Sequence, residues 1–183
     1  MAYKPSTLAK YWVTKAGLQA AIIFTRQRFY CGYVGVPKEH PLFEVDYGQN
    51  TNYLAELTGE ELIGQRGPIS LLLGSDRMRS PELVFDVHGS LTFSSKWEKG
   101  DIPELIDGLW YFGYDCAHCG DGEFPDVDGE GNIVNDPVGF SFVSMDQPKS
   151  LEFNIEQCES LATQIVEKTL PMLAIEDKSN EPK

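Results

Sequence analysis

Two hydrophobic stretches near the start of the chain have the length and composition of β-strands. Leu18–Arg26 and Arg28–Val36 are rich in β-branched and aromatic residues, and only Gln27 separates them. Such a short gap predicts an antiparallel hairpin. Gly32 and Gly35 in the second stretch predict either a bulge or the close approach of another part of the chain.

A third hydrophobic stretch, Leu109–Asp121, organises the second half of the chain. Four of its first six residues are aromatic, and a β-strand is the simplest way to bury them. The stretch then ends in a loop of titratable side chains, Asp115, Cys116, His118, Cys119 and Asp121. A rigid strand that leads into a reactive loop is a common way to build a site.

The clearest helical pattern lies near the C-terminus. Glu156, Glu159 and Glu167 occupy one face, and Pro171 follows the pattern and predicts its end. The apolar residues recur three and four positions apart: Ile155, Cys158, Leu161, Ala162, Ile165 and Val166. The expected fold class is therefore α+β, with a mostly antiparallel β-sheet covered by a C-terminal amphipathic helix.

The first residues of the chain predict a short helix. Ser6 suits its N-cap and Gly17 its C-terminal end, and Leu8, Tyr11 and Trp12 would share one face.

Two short strands are predicted on either side of the turn at His88-Gly89-Ser90. One covers Leu83–Val87 and the other Leu91–Ser94. Gly120–Val138 is dense in Gly, Asp and Pro and predicts a loop.

The length of the chain fits one domain, since 183 residues with 42% hydrophobic content can form a core. We expect this domain over residues 1–173 and a flexible acidic and polar tail over residues 174–183. The first 16 residues contain three lysines and no long apolar run, which argues against a signal peptide. No window approaches the roughly 18 apolar residues of a membrane span. An intracellular protein without membrane contact is expected.

Charge is distributed unevenly along the chain. Residues 101–183 include 18 acidic and four basic residues, whereas residues 1–100 include 10 acidic and 11 basic residues. A region this acidic repels nucleic-acid phosphates and favours basic proteins or cations as partners. Alternatively, the acidic residues simply form a solvated surface. Four carboxylates cluster in a candidate partner-binding surface, here named the acidic loop: Asp126, Asp128, Glu130 and Asp136. The segment does not match a calcium-binding EF-hand loop, because Pro137 stands where the bidentate Glu ligand is required. An acidic turn is therefore the preferred interpretation.

The chain has four cysteines, Cys31, Cys116, Cys119 and Cys158, and we expect them to be reduced thiols. Cys116 and Cys119 have the spacing of half a zinc site, but structural zinc usually needs two local pairs. A thioredoxin-like redox pair would need a surrounding βαβ pattern. Ordinary buried or partly buried thiols are the favoured interpretation, with zinc and redox chemistry as alternatives.

All three histidines, His40, His88 and His118, lie in apparent loops beside Gly or Pro. His88 and His118, with Asp115 and Asp121, form a candidate ligand or metal site. They could instead hold the loops together, with Asp115 satisfying turn amides, or act as base and orienter in catalysis. If they form one site, the strands before them should be neighbours, and the two rings should lie within roughly 10 Å.

Several motifs occur in combination, and they carry a resemblance. They are Cys31-Gly-Tyr-Val-Gly-Val-Pro37 with His40-Pro41, Val87-His88-Gly89 with Leu91-Thr92, Trp110–Asp121, and Cys158-Glu-Ser-Leu161. Over about residues 28–167 the chain resembles a family of small phage and prophage proteins. The resemblance implies a viral origin and transfers no catalytic residue. Ser90 departs from the family's Gly, and Cys119 from a small residue such as Ala, which weakens a zinc site.

Two functions from different classes follow. The first is a phage accessory protein that binds a basic host protein, such as a nucleic-acid-binding enzyme, in the host bacterial cytoplasm. It would need no cofactor and would inhibit a host defence such as CRISPR immunity. The second is a small metal-assisted hydrolase or nucleotide-binding protein that holds a divalent metal in the His/Asp loops. The sequence lacks the usual phosphate-loop, serine-hydrolase and zinc-protease motifs, which favours the first.

Overall fold

The fold is organised around one antiparallel sheet. The structure is a computed structural model that describes residues 6–66, 78–97, 108–127, 133–135 and 147–171. The strands of the sheet are β1 (Thr7–Val13), β2 (Gln19–Phe24), β3 (Tyr30–Val36), β4 (Phe93–Ser95) and β5 (Trp110–Asp115). They pair in the order β1-β2-β3-β5-β4, and every pair is antiparallel.

One long helix covers the sheet. The described residues form the helices α1 (Gly59–Arg66), α2 (Pro81–Val84) and α3 (Leu151–Lys168), and α3 packs on β2 and β3. The predicted α+β class, with a mostly antiparallel sheet under a C-terminal helix, is confirmed. Within the described ranges, no helix combines the length and the apolarity that crossing a membrane requires.

The predicted hairpin is confirmed as β2 and β3. Its turn is closed by the Arg28 N–H, which donates to the Thr25 carbonyl at 3.0 Å. Gly32 marks a close approach rather than a bulge, because β3 pairs in regular register on both sides. Its cross-strand partner is Tyr114, and a Cβ at position 32 would overlap the tyrosine ring. The absent side chain at Gly32 therefore lets β5 bury a large aromatic residue.

The predicted N-terminal helix is wrong, because residues 7–13 form the edge strand β1. Successive side chains of a strand point to opposite faces of the sheet, and side chains on both faces of β1 pack against other residues. Trp12 packs against the cluster under α3, whereas Tyr11 packs against Ala21 on the other face. Gly17 has φ +86° and belongs to the turn between β1 and β2 instead of ending a helix.

The predicted strand over Leu83–Val87 is also wrong, because its first two residues belong to α2. Pro81 occupies the first turn, and Ser80 precedes it in extended conformation. Leu83 and Val84 are buried next to each other. Consecutive buried residues suit a helical turn wedged into the core better than a strand with alternating faces.

Two further predictions are corrected in part. The strand expected over Leu91–Ser94 is the shorter and later β4. The loop expected over Gly120–Val138 contains the two-stranded pair β6 (Asp126–Val127) and β7 (Ile133–Asn135). The tail predicted over residues 174–183 lies outside the described residues.

The predicted core face of α3 is largely confirmed. Cys158, Leu161, Ala162 and Ile165 are buried, whereas Ile155 is partly buried. Val166 is 50% exposed, so the apolar stripe is narrower than the sequence pattern indicates. The helix ends at Lys168, ahead of Pro171, because Thr169 leaves it to form a bridge with Leu54.

Candidate metal centre

The candidate centre begins with two histidines that face each other from separate loops. The ring centroids of His88 and His118 lie 5.5 Å apart, with the ring planes at 85°. The prediction that the rings lie within roughly 10 Å is therefore confirmed. The expected pair of neighbouring strands is not the reason, since His118 follows β5 whereas His88 follows α2.

Gly89 makes room for this approach. Its φ of +67° is a conformation that L side chains rarely adopt, and a Cβ at this position would overlap the His118 ring. The turn that presents His88 is thus shaped to accept the second imidazole. Because the His88 N–H donates to Gln157 Oε1 at 2.9 Å, α3 also holds this turn in place.

Asp121 joins the two histidines. His88 Nε2 donates to its carboxylate, at 3.0 Å from Oδ1 and 2.8 Å from Oδ2. The backbone N–H of His118 donates to Oδ2 at 3.0 Å, and His118 Nδ1 lies 3.5 Å from the same oxygen. A turn closed by the Asp121 N–H, which donates to the His118 carbonyl at 2.9 Å, keeps the carboxylate close to both rings.

The carboxylate of Asp121 is kept ionised although its side chain is only 3% exposed. Burial alone would raise the pKa of Asp121. The hydrogen bonds from His88 and from the His118 backbone, together with the charge of Lys149, instead hold this pKa below its usual value. The site therefore contains a buried negative charge in contact with two imidazoles.

These three side chains form the candidate centre, which we name the His–Asp cluster: His88, His118 and Asp121. One ligand atom from each lies within 4.8 Å of the others, and no further group of three or more His, Cys, Asp or Glu does so among the described residues. His118 Nδ1 is buried and finds no hydrogen-bond partner in this part of the chain. Such a nitrogen is available as a ligand.

Asp115, the fourth predicted site residue, stays outside the cluster. Its Oδ1 accepts the Ala117 N–H at 3.0 Å, and its Oδ2 accepts the Thr92 hydroxyl at 2.9 Å. The distance from Oδ1 to His118 Nδ1 is 3.9 Å. Asp115 thus satisfies a turn amide, as the alternative interpretation of the sequence proposed, and joins the loop to the segment before β4.

The half zinc site is not assembled. Cys116 is buried and donates to Asn154 Oδ1 at 3.4 Å, whereas Cys119 is exposed. Burial raises the pKa of the Cys116 thiol to about 12, so the thiol is not a ready metal ligand. The four cysteines are free thiols, three of them buried.

Two other predicted groups do not reach the cluster. His40 lies in the turn after β3, where its Nδ1 accepts the Leu42 N–H at 3.2 Å. In the acidic loop, the backbone of Asp126 begins β6. Asp128, Glu130 and Asp136 lie outside the described residues.

Sequence reasoning missed two residues of the site, one just before α3 and one in its first turn. Lys149 Nζ lies 3.5 Å from Asp121 Oδ1, and the Phe153 ring packs edge-on against His88 with centroids 5.4 Å apart. Lys149 had a signal of its own, because it is one of only four basic residues in the acidic half. Phe153 had none, since it reads as one more apolar helix residue.

No protein-family model, no curated protein and no solved structure gives a significant match to this chain.

Proposed function

We propose that this protein binds a divalent transition-metal ion through His88, His118 and Asp121 and uses it in hydrolysis. The observation that carries the proposal is the convergence of two imidazole nitrogens and one carboxylate oxygen within 4.8 Å. Ligands about 2.1 Å from zinc at tetrahedral angles lie about 3.4 Å from one another. The 3.5 Å between His118 Nδ1 and Asp121 Oδ2 supports such a geometry.

The hydrogen bond between His88 and Asp121 supports the same proposal. His88 Nε2 lies 2.8 Å from Asp121 Oδ2, a distance at which a protonated Nε2 donates to the carboxylate. A metal ion would replace that proton, as metal binding to histidine generally does. Imidazole and carboxylate ligands together suit zinc and its neighbours in the first transition row.

Three protein ligands also leave room for chemistry. Catalytic zinc sites use three protein ligands and keep a further position for water, whereas structural sites use four. A metal in such a site supplies a water of lowered pKa as nucleophile. Both imidazole side chains are partly exposed, 22% for His88 and 34% for His118, so the cluster lies close to the protein surface.

Metal binding can be measured on the whole chain by calorimetry with Zn²⁺ and by the visible absorption of the Co²⁺ form. We expect one bound metal per chain, and at least about tenfold weaker binding in His118→Ala, consistent with the loss of one ligand. His40→Ala is the matched control, because it removes a histidine outside the cluster. Equal affinity in the two variants would refute the site.

Hydrolysis needs a separate assay. The Zn²⁺ form is expected to release nitrophenolate from bis(p-nitrophenyl) phosphate, and Asp121→Asn should lose this activity. If the protein binds zinc stoichiometrically but shows no turnover, the metal site stands and the proposed hydrolysis is refuted.

The acidity of the second half of the chain favours a second candidate function. We propose that the protein also acts as a phage accessory protein in the host bacterial cytoplasm, where the acidic loop binds a basic host protein and so inhibits a defence system. The motif resemblance and the 18 acidic residues among positions 101–183 support this role.

The test of this second function uses a basic partner isolated with the full chain. Association should slow as salt rises from about 0.05 to 0.5 M, because the Debye length shortens. Changing all four acidic-loop residues to Asn or Gln should lower the on-rate. A control set of exposed carboxylates, Glu39, Glu60, Asp86 and Glu156, should change it less. Salt-independent binding, or tight binding to DNA, would contradict the proposal.

A further inference from the structure

Lys149 places a positive charge beside the His–Asp cluster. Its Nζ lies 3.5 Å from Asp121 Oδ1 and 5.6 Å from the centre of the Phe153 ring. Lys149 directly precedes the N-cap of α3, Ser150, whose hydroxyl accepts the Phe153 N–H at 3.1 Å. The Lys149 side chain is 30% exposed, so a ligand from solvent can reach it.

This charge has a consequence once a metal occupies the cluster. A bound metal would contribute two positive charges and Lys149 contributes one, whereas the carboxylates that contact these groups among the described residues are those of Asp121 and Asp115. The two imidazoles coordinate metal as neutral groups. Within the described residues, these groups would together carry one net positive charge, which favours an anionic ligand beside the metal and Lys149.

We infer that the cluster binds a phosphate group, which bridges the metal and Lys149; this inference rests on the proposed metal site. A phosphate has several oxygens in tetrahedral arrangement, so one can bind the metal while another accepts a hydrogen bond from the ammonium. Lysine binds phosphate as a point charge, and metal ions hold phosphoryl oxygens as Lewis acids. The ligand is either free phosphate or a phosphate ester such as a nucleotide.

The experiment uses the full chain in a buffer without phosphate. Metal binding is measured first, and the visible spectrum of the Co²⁺ form is then followed during titration with inorganic phosphate, adenosine monophosphate and, for comparison, acetate. We expect the two phosphates to change the spectrum at concentrations at least about tenfold below acetate, a difference of about 1.4 kcal/mol. Tighter binding of the nucleotide than of inorganic phosphate would identify an ester as the ligand.

Three lysine variants test the bridging role. Lys149→Met should weaken phosphate binding about tenfold while metal affinity is kept or increased, because the ammonium no longer competes for Asp121. Lys149→Arg should restore most of the phosphate response. Lys38→Met is the matched control, because Lys38 is exposed and lies after the end of β3 that pairs with Trp110, whereas the cluster lies beyond the Asp115 end of β5.

The outcomes separate this inference from the proposed function. Failure to bind any metal overturns the proposed function and the inference together. Metal binding without a phosphate response, or a phosphate response unchanged in Lys149→Met, overturns the inference alone. A circular dichroism melt of each variant establishes that the fold is retained, so a lost response is assigned to the lysine.

Discussion

The amide oxygen of Asn154 accepts the Tyr114 hydroxyl at 3.1 Å, inside the core between α3 and β5. The same oxygen accepts the Cys116 thiol at 3.4 Å, and the amide nitrogen donates to the Ser150 carbonyl at 2.9 Å. One fully buried polar side chain thus links the end of β5 to the first turn of α3. Because His118 follows the first segment and Lys149 precedes the second, Asn154 helps to set their relative position.

The first prediction concerns this link. Asn154→Ala leaves the buried Cys116 thiol without its acceptor and removes the side-chain bonds to the Tyr114 hydroxyl and the Ser150 carbonyl, so it should cost about 1–3 kcal/mol of unfolding free energy. Tyr114→Phe should cost less, about 0.5–1.5 kcal/mol, because it leaves the other bonds of Asn154 intact. Urea unfolding of both variants and of the double variant measures the coupling. Strictly additive losses would contradict a shared network.

The second prediction concerns Gly89. Gly89→Ala introduces a side chain at φ +67° and against the His118 ring, so we expect a loss of about 1–3 kcal/mol. Displacement of that ring should also weaken metal binding. Gly64→Ala is the control with the opposite sign. Gly64 lies in α1 with nothing near its Cβ position, and alanine should stabilise the helix by about 0.5–1 kcal/mol. An unchanged metal affinity in Gly89→Ala would mean that the ring is not held by this contact.

The third prediction concerns the core face of α3. Leu161 is fully buried, and Leu161→Ala should cost about 2–5 kcal/mol. Val166→Ala on the same helix is the matched control. Because Val166 is 50% exposed, its truncation should change stability by no more than about 0.5 kcal/mol. Chemical denaturation measures both, and a cost for Leu161→Ala within the control range would refute the packing of α3 on the sheet.

The fourth prediction concerns pH. Burial tends to raise the pKa of Glu159, but bonds from Trp12 Nε1 at 2.8 Å and the Lys15 N–H at 2.9 Å, with the charges of Lys15 and Lys10, lower it below its ordinary 4.5. A lowered folded-state pKa contributes stability that is fully present above about pH 4.5 and is lost as pH falls through the folded value.

Glu159→Gln should therefore destabilise the protein at pH 7 and have a smaller effect near pH 3. Unfolding free energies at the two pH values test this, with Glu156→Gln on the exposed side of α3 as the control. A penalty that is the same at both pH values would show that the Glu159 contacts do not depend on its charge.

Local pattern was enough for the elements whose partners lie nearby in the chain or whose periodicity is long. The strands of the β2–β3 hairpin are joined by a short turn, and β5 is recognisable from its consecutive aromatic residues. The apolar residues of α3 recur at helical spacing over 18 residues. Such signals depend on the residues of the element itself, so sequence alone predicted them and the α+β class.

The secondary structure of the short segments depends on the parts of the chain they pack against. Residues 7–13 carry apolar side chains compatible with either a helix or a strand, and pairing with β2 determines the strand. The sequence of Leu83 and Val84 is also compatible with a strand, but burial of both side chains in the core determines the helix α2. In both cases tertiary burial outweighs weak local preference.

The candidate centre shows the same division. The residue types in the loops around His88 and His118 were enough to suggest a ligand site. Asp121 lies 33 positions from His88, and Lys149 a further 28 from Asp121, so only the packing of β5 and α3 brings them together. From sequence, Asp115 was as good a candidate ligand as Asp121. Its carboxylate instead accepts hydrogen bonds from the Ala117 N–H and the Thr92 hydroxyl. Which of the two carboxylates joins the imidazoles is a question of three-dimensional geometry, because both occur in the same loop with the same chemistry.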